Sequence, residues 1–236
     1  MNRWKNYLLL GLAIAFVYFA VNFRWTHAYL VYAAHALTCD PNILVNAAQR
    51  IDQLFGSIES QPLLGCLPAP VWGQGSVIGT TNFAPGLPAV ILLNVDGAQS
   101  IDVIAHEWAH AEIAQRTSVI FRTYTLPTWF DEGLAMQVDL REAYNLAALR
   151  TLQDASEPLH QPAHLEGIAT PSQFFHAGPR GRLHYAMARC VLSRWSERQQ
   201  KSFTAISSDW FMQIDQSTFD EAFRACQINP INPSAN

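Results

Sequence analysis

Charged side chains are scarce in this 236-residue chain: 14% of positions carry one, low for a purely soluble protein. The net charge is −4 and no run of Lys or Arg stands out, which disfavours a face built against nucleic-acid phosphates. None of the four cysteines forms a C-x-x-C pair, so a cysteine-ligated zinc site or a redox motif does not fit. There is no internal repeat and no low-complexity tract. Residues 37–228 read as one domain with a sizeable core, and residues 229–236, polar and proline-containing, as a frayed tail.

Half of the residues are hydrophobic, and much of the excess sits near the N-terminus. Tyr7–Phe23 carries no charge, with Arg3 and Lys5 before it and Arg24 after it. A helix of that length spans roughly 26 Å, enough to cross a hydrocarbon core. Trp4 and Trp25 stand where indoles favour the membrane interface. The expectation is a transmembrane anchor with juxtamembrane residues, together 1–36. The basic residues ahead of the run keep the N-terminus cytoplasmic and place the domain outside the membrane, in the periplasm if the source is bacterial. A cleaved signal is the alternative, because Ala34-His35-Ala36 has the small-x-small form of a cleavage site. An exported domain suits disulfides, and the pairing Cys39–Cys66 with Cys190–Cys226 brackets one compact segment in each case.

Local patterns predict an α+β fold with a small antiparallel or mixed sheet. Asp40 caps a helix with Pro41 in its first turn and Gly56 at its end. Pro62–Leu67, Val77–Phe83 and Ala89–Leu93 read as strands, the last most strongly. Ser100 opens a helix to about Arg116, and a loop over about 117–126 leads to another opened by Pro127. Thr170-Pro171 begins a short helix, Arg182 to about Trp195 forms a longer one, and Ser217 or Thr218 caps the last.

His106-Glu107-Trp108-Ala109-His110 has the form H-E-x-x-H within a predicted helix. Residues four apart stand one turn above each other on the same face, so both imidazoles can reach one zinc ion. Glu107 borders that face, placed to take a proton from a zinc-activated water without being a ligand. Glu132 is the candidate third ligand: it lies in an apolar stretch, where an unpaired carboxylate is costly to bury, and Gly133 lets a neighbouring backbone come close. Asp102 and Asp131 are candidate partners for the second ring nitrogens of the histidines. His160 and His164 share the same spacing, but Pro162 between them favours a solvated loop over a second metal site.

H-E-W-A-H followed by W-F-D-E-G-L-A resembles the gluzincin branch of the zincin metallopeptidases, closest to the small peptidase MA-like domains. The resemblance covers roughly Ala89–Ala135 and implies a zincin-like fold with His106, His110 and Glu132 on Zn2+ and Glu107 as general base. It also implies a downstream Tyr or His as oxyanion donor. His184 and Tyr185 lie at a suitable distance, and Tyr185 is taken as the donor. The acid that follows the third ligand at helical spacing in thermolysin is missing; Met136 stands there. There is no G-x-M-E-N signature, which disfavours an aminopeptidase, and no third His at metzincin spacing.

The function implied is a membrane-anchored zinc metallopeptidase acting on peptide or protein substrates, with extended substrate pairing along the edge of Ala89–Leu93. Two rivals stand beside it. One is a zinc-dependent amidase or deacylase acting on a non-peptide substrate. The other is a non-catalytic membrane-tethered domain of the same fold.

Overall fold

The structure, a computed structural model, describes Gly11 and residues 22–68, 78–153 and 164–227. Leu63–Cys66 (β1), Gly79–Asn82 (β2) and Val90–Leu93 (β3) form one mixed sheet in the order β1-β3-β2. β1 runs parallel to β3 and β2 antiparallel to it, with Cys66 opposite Leu93 and Gly79 opposite Leu93 on the other side. All four residues of β3 are buried, which is why it reads as an unbroken apolar run. Ile91 and Leu93 join the main core, whereas Val90 and Leu92 join a smaller cluster on the opposite face. Both edges of β3 are therefore taken, and the expected pairing of substrate along Ala89–Leu93 is corrected. The order of strands brings β2, not β3, to the margin of the sheet among the described residues.

Helices cover both faces. Phe23–His35 (α1) lies over the smaller cluster, burying Trp25 and Ala28, and the Trp25 indole donates to the Pro88 carbonyl at 2.8 Å. Pro41–Phe55 (α2) starts at Asp40, whose side chain accepts from the Asn42 amide, and ends at Gly56 with φ +74°, as expected. After the short Val95–Ala98 (α3) comes Ile101–Thr117 (α4), capped by Ser100, which packs against the sheet and α2. Val119–Tyr124 (α5) occupies the stretch expected to be a loop; Ser118 caps it at φ 74° by accepting from the Phe121 amide. Thr128–Val138 (α6) follows Pro127.

Leu146–Gln153 (α7) and Pro171–Phe174 (α8) precede Gly178–Gln199 (α9), which begins four residues earlier than its apolar pattern indicates. Ser208–Met212 (α10) and Ser217–Cys226 (α11) close the fold. α6, α9 and α11 pack together through a cluster in which Phe130, Trp195 and Phe219 are fully buried. Disulfides Cys39–Cys66 and Cys190–Cys226 are both present, tying the start of α2 to β1 and α9 to α11.

Of Tyr7–Phe23, only Gly11, Asn22 and Phe23 are described, so the expected membrane helix lies outside the described residues, as do Val77, His160 and the tail. Among the described residues no helix is long and apolar enough to cross a membrane.

Candidate metal centre

The i, i+4 relation on α4 brings the His106 and His110 rings to 5.0 Å between centroids, nearly perpendicular to each other. Both are buried. α6 supplies the third group. On its other side α6 packs closely on α9, where residue 133 is glycine: a Cβ there would stand 2.8 Å from the Ala188 carbonyl oxygen. Glu132 Oε2 sits 3.3 Å from His106 Nε2 and 3.5 Å from His110 Nε2.

These distances fit a metal. Three tetrahedral ligands at about 2.0–2.1 Å from zinc lie about 3.3 Å from one another. The donor atoms of His106, His110 and Glu132 all lie within 4.8 Å of each other. Glu132 Oε2 is buried and receives no hydrogen bond, an orphaned acceptor aimed at two imidazole nitrogens. Among the described residues this is the one group of three or more such side chains close enough to share an ion.

The other ring nitrogens face carboxylates. His110 Nδ1 is 3.2 Å from Asp131 and His106 Nδ1 is 3.6 Å from Asp139, at ion-pair rather than hydrogen-bond geometry. An arginine holds each of these acids in turn. Arg122 pairs with Asp131 through Nε and Nη2, while its guanidinium lies 4.2 Å above the Phe83 ring centre. Arg141 Nε donates to both oxygens of Asp139 at 2.9 and 3.1 Å. Asp131 thus takes the expected place. Asp102 does not: it accepts from Arg50 at 2.6 Å and from the Leu140 amide at 2.8 Å, tethering the turn that carries Asp139. Residue 136 is Met, and the acid that faces His106 Nδ1 is Asp139 instead. Seven residues is close to two helical turns, so Asp139 falls on the Glu132 side of α6 at its C-terminal end.

Electrostatics follow from this crowding. Burial alone would lower the His110 pKa, but Asp131 and Glu132 outweigh it and push it up to about 10. Burial would raise Glu132, yet His110 and His106 hold it well below the usual carboxylate range.

Glu107 points to the sheet side of the centre. Its Oε2 accepts from Thr81 Oγ1 at 2.6 Å, and the same hydroxyl lies 2.9 Å from the Glu107 carbonyl. β2 can lie this close because residue 79 is glycine: a Cβ there would meet Glu107 Cγ at 2.9 Å and Oε1 at 3.0 Å.

Tyr185 and His184 diverge, as adjacent helical residues must. The Tyr185 ring lies 6.1 Å from His106 and 5.7 Å from Tyr144. Burial, then Glu132 and Glu107, raise its pKa well above that of an ordinary phenol. His184 turns away, its Nδ1 2.8 Å from the Phe174 carbonyl.

No family model, curated protein or solved structure matches this chain. The residues themselves carry the functional argument.

Two contributors to the centre, and one buried acid outside it, are not anticipated from the sequence. Asp139 had a readable signal, an acid about two turns after Glu132 and two residues before Arg141. Thr81 had none, since Gly79-Thr-Thr-Asn82 shows no apolar alternation. Glu112 is fully buried on α4 and accepts from the Glu59 and Ser60 amides and from Arg116 Nε, fixing the segment after α2 rather than the metal centre. His164 is exposed, and its expected companion His160 lies outside the described residues.

Proposed function

We propose that this chain is a zinc-dependent hydrolase of zincin-like fold, and that its substrates are peptides. The observation that carries the proposal is the convergence of two imidazole nitrogens on one unpartnered, buried Glu132 oxygen, with Glu107 alongside but outside that set. Structural zinc is normally closed by four protein ligands, and three are found here, which favours an open and reactive position.

Zinc bound to His106, His110 and Glu132 would supply a water of lowered pKa and polarise a substrate carbonyl. Glu107 takes the proton from the attacking water and hands it to the departing amine; Thr81 fixes the carboxylate for both transfers. Tyr185 carries a phenolic proton at neutral pH, as an ordinary tyrosine does, and burial with Glu132 and Glu107 further disfavours its loss; it can donate to the carbonyl oxygen as charge develops there. Asp131 and Asp139 orient the two imidazoles and favour the tautomer with Nε2 free to bind metal. An extended peptide would add to the margin of β2, antiparallel or parallel, with its scissile bond near Glu107. Attachment to a membrane through Tyr7–Phe23 belongs to the same proposal and rests on the uncharged apolar run.

Elemental analysis of purified protein, paired with a peptide-library assay of wild type and Glu107→Gln, tests this reading. Stoichiometric zinc in both proteins, with cleavage in wild type alone, is the expected result. Protein without bound metal would overturn the metal centre. A library left intact by zinc-loaded protein that hydrolyses small amides or esters would move the proposal to a deacylase.

A further inference from the structure

A cavity of about 260 Å³ is lined in part by Tyr144, whose ring packs against Tyr185, and by none of His106, Glu107, His110 and Glu132. Tyr144, Asn145, Arg189, Ser193, Arg194 and Glu197 contribute to its walls. Arg189 is four residues after Tyr185 on α9, hence one turn further along the same face. Its Nη1 is buried and makes no hydrogen bond with any described residue. The acids that influence it are already engaged: Asp139 by Arg141, and Asp102 by Arg50 and the Leu140 amide. Arg194, on the rim, has only Glu197 at 3.4 Å, an exposed contact of little strength.

A buried guanidinium nitrogen without an acceptor is costly, and native structures almost always satisfy such groups. Burial lowers the pKa of Arg189, the expected response of a cation that lacks a close counter-ion. A guanidinium presents its N–H groups in a planar fork matched to the oxygens of a carboxylate or phosphate. A second arginine at the mouth raises the local anion concentration.

We propose that this cavity is a binding site for a small oxyanion, held between Arg189 and Arg194. The site is separate from the metal centre yet adjoins it through one ring. Tyr144 forms a wall of the cavity, packs against Tyr185 and lies 4.9 Å beneath the Arg141 guanidinium. An occupant therefore touches the residue that supports both Tyr185 and the arginine holding Asp139.

The test is isothermal titration of the full-length protein with inorganic phosphate, then with acetate, at constant ionic strength. Wild type should show saturable binding of at least one of them. Phosphate alone would identify a tetrahedral oxyanion, acetate alone a carboxylate. Arg189→Gln should weaken binding at least about tenfold, the usual cost of losing a charge-assisted pair. Should Arg189→Gln fail to fold, Arg194→Gln at the exposed rim must weaken binding measurably. No saturable binding in wild type, or binding unchanged in the folded arginine variant, overturns the proposal. The latter result would also cover an anion that binds at His106 and His110 instead.

Discussion

Asp139→Asn removes one charge from a fully buried carboxylate and keeps its shape. The affected oxygen stands 3.6 Å from His106 Nδ1. A full charge on the ring at that distance would feel about 4–5 kcal/mol at an effective dielectric near 20. A neutral imidazole bound to metal carries a fraction of a charge, and Arg141 neutralises part of the carboxylate. The expected loss is therefore about 1.4–2.7 kcal/mol, or roughly tenfold to a hundredfold in zinc affinity, the range typical for such outer partners. Competition with a chromophoric chelator, at a pH where the variant remains folded by circular dichroism, measures this directly. Asp102→Asn provides the contrast. It loses the Arg50 and Leu140 contacts and should lower thermal stability more than zinc affinity. Unchanged zinc affinity in Asp139→Asn, alongside a clear loss in Asp131→Asn, would refute the role assigned to Asp139.

Tyr185→Phe should reduce kcat by about 10²–10³ with zinc content preserved, as for loss of one oxyanion donor; steady-state kinetics with metal analysis checks this. Gly79→Ala drives a methyl group into Glu107, so kcat should fall while zinc affinity stays near that of wild type; an unaltered kcat would mean that β2 moves aside. The raised pKa of His110 sets a pH dependence in metal-free protein. Its contribution to stability is complete below the unfolded value near 6.5 and is lost as pH rises towards about 10, so the metal-free Tm should decline across that window. Zinc must displace the proton from His110, and calorimetry in buffers of different ionisation enthalpy should record proton release on binding near pH 7.5.

The parts of the centre legible in the sequence are those set by helical periodicity. His106 and His110 meet because four residues make about one turn, and Glu132 is conspicuous as a carboxylate in an apolar segment. Gly133 announces the close approach that its contact with Ala188 bears out. Asp131 next to His110 follows from the docking of α6 on α4, which a carboxylate directed at both histidines already demands. What could not be read depends on contacts distant along the chain. The order β1-β3-β2 is fixed by pairing, and nothing in Ala89–Leu93 distinguishes a central strand from an edge strand with two covered faces. Asp102 has helical spacing from His106 but is drawn away by Arg50, 52 residues earlier. α5 has no marked apolar stripe, and none of its residues is fully buried, so the stretch around it reads as a connection.

The same limit bears on the N-terminal segment. Residues 24–36 read as a spacer between membrane and domain because they adjoin a longer apolar run. In the fold they are a layer of the domain itself. α1 covers the face of the sheet opposite α4, with Trp25 and Ala28 set against Val90, Leu92 and Leu67. Gly65 on β1 admits Tyr32 and Ala36, whose atoms stand 2.8 and 2.7 Å from where a Cβ would be. The Ala36 amide donates to the Tyr32 carbonyl, and Leu37 bridges to Cys66. Cleavage after Ala36 would leave the Leu37–Cys66 bridge but remove α1 with its Trp25, Ala28, Tyr32 and Ala36 contacts, and bare an apolar sheet face. Burying a tryptophan and its neighbours stabilises a domain by several kcal/mol, on the order of its entire net stability. The packing of α1 therefore weighs against a mature chain that starts at residue 37. It also ties α1 to β3, the strand that pairs with β2, whose Thr81 holds Glu107.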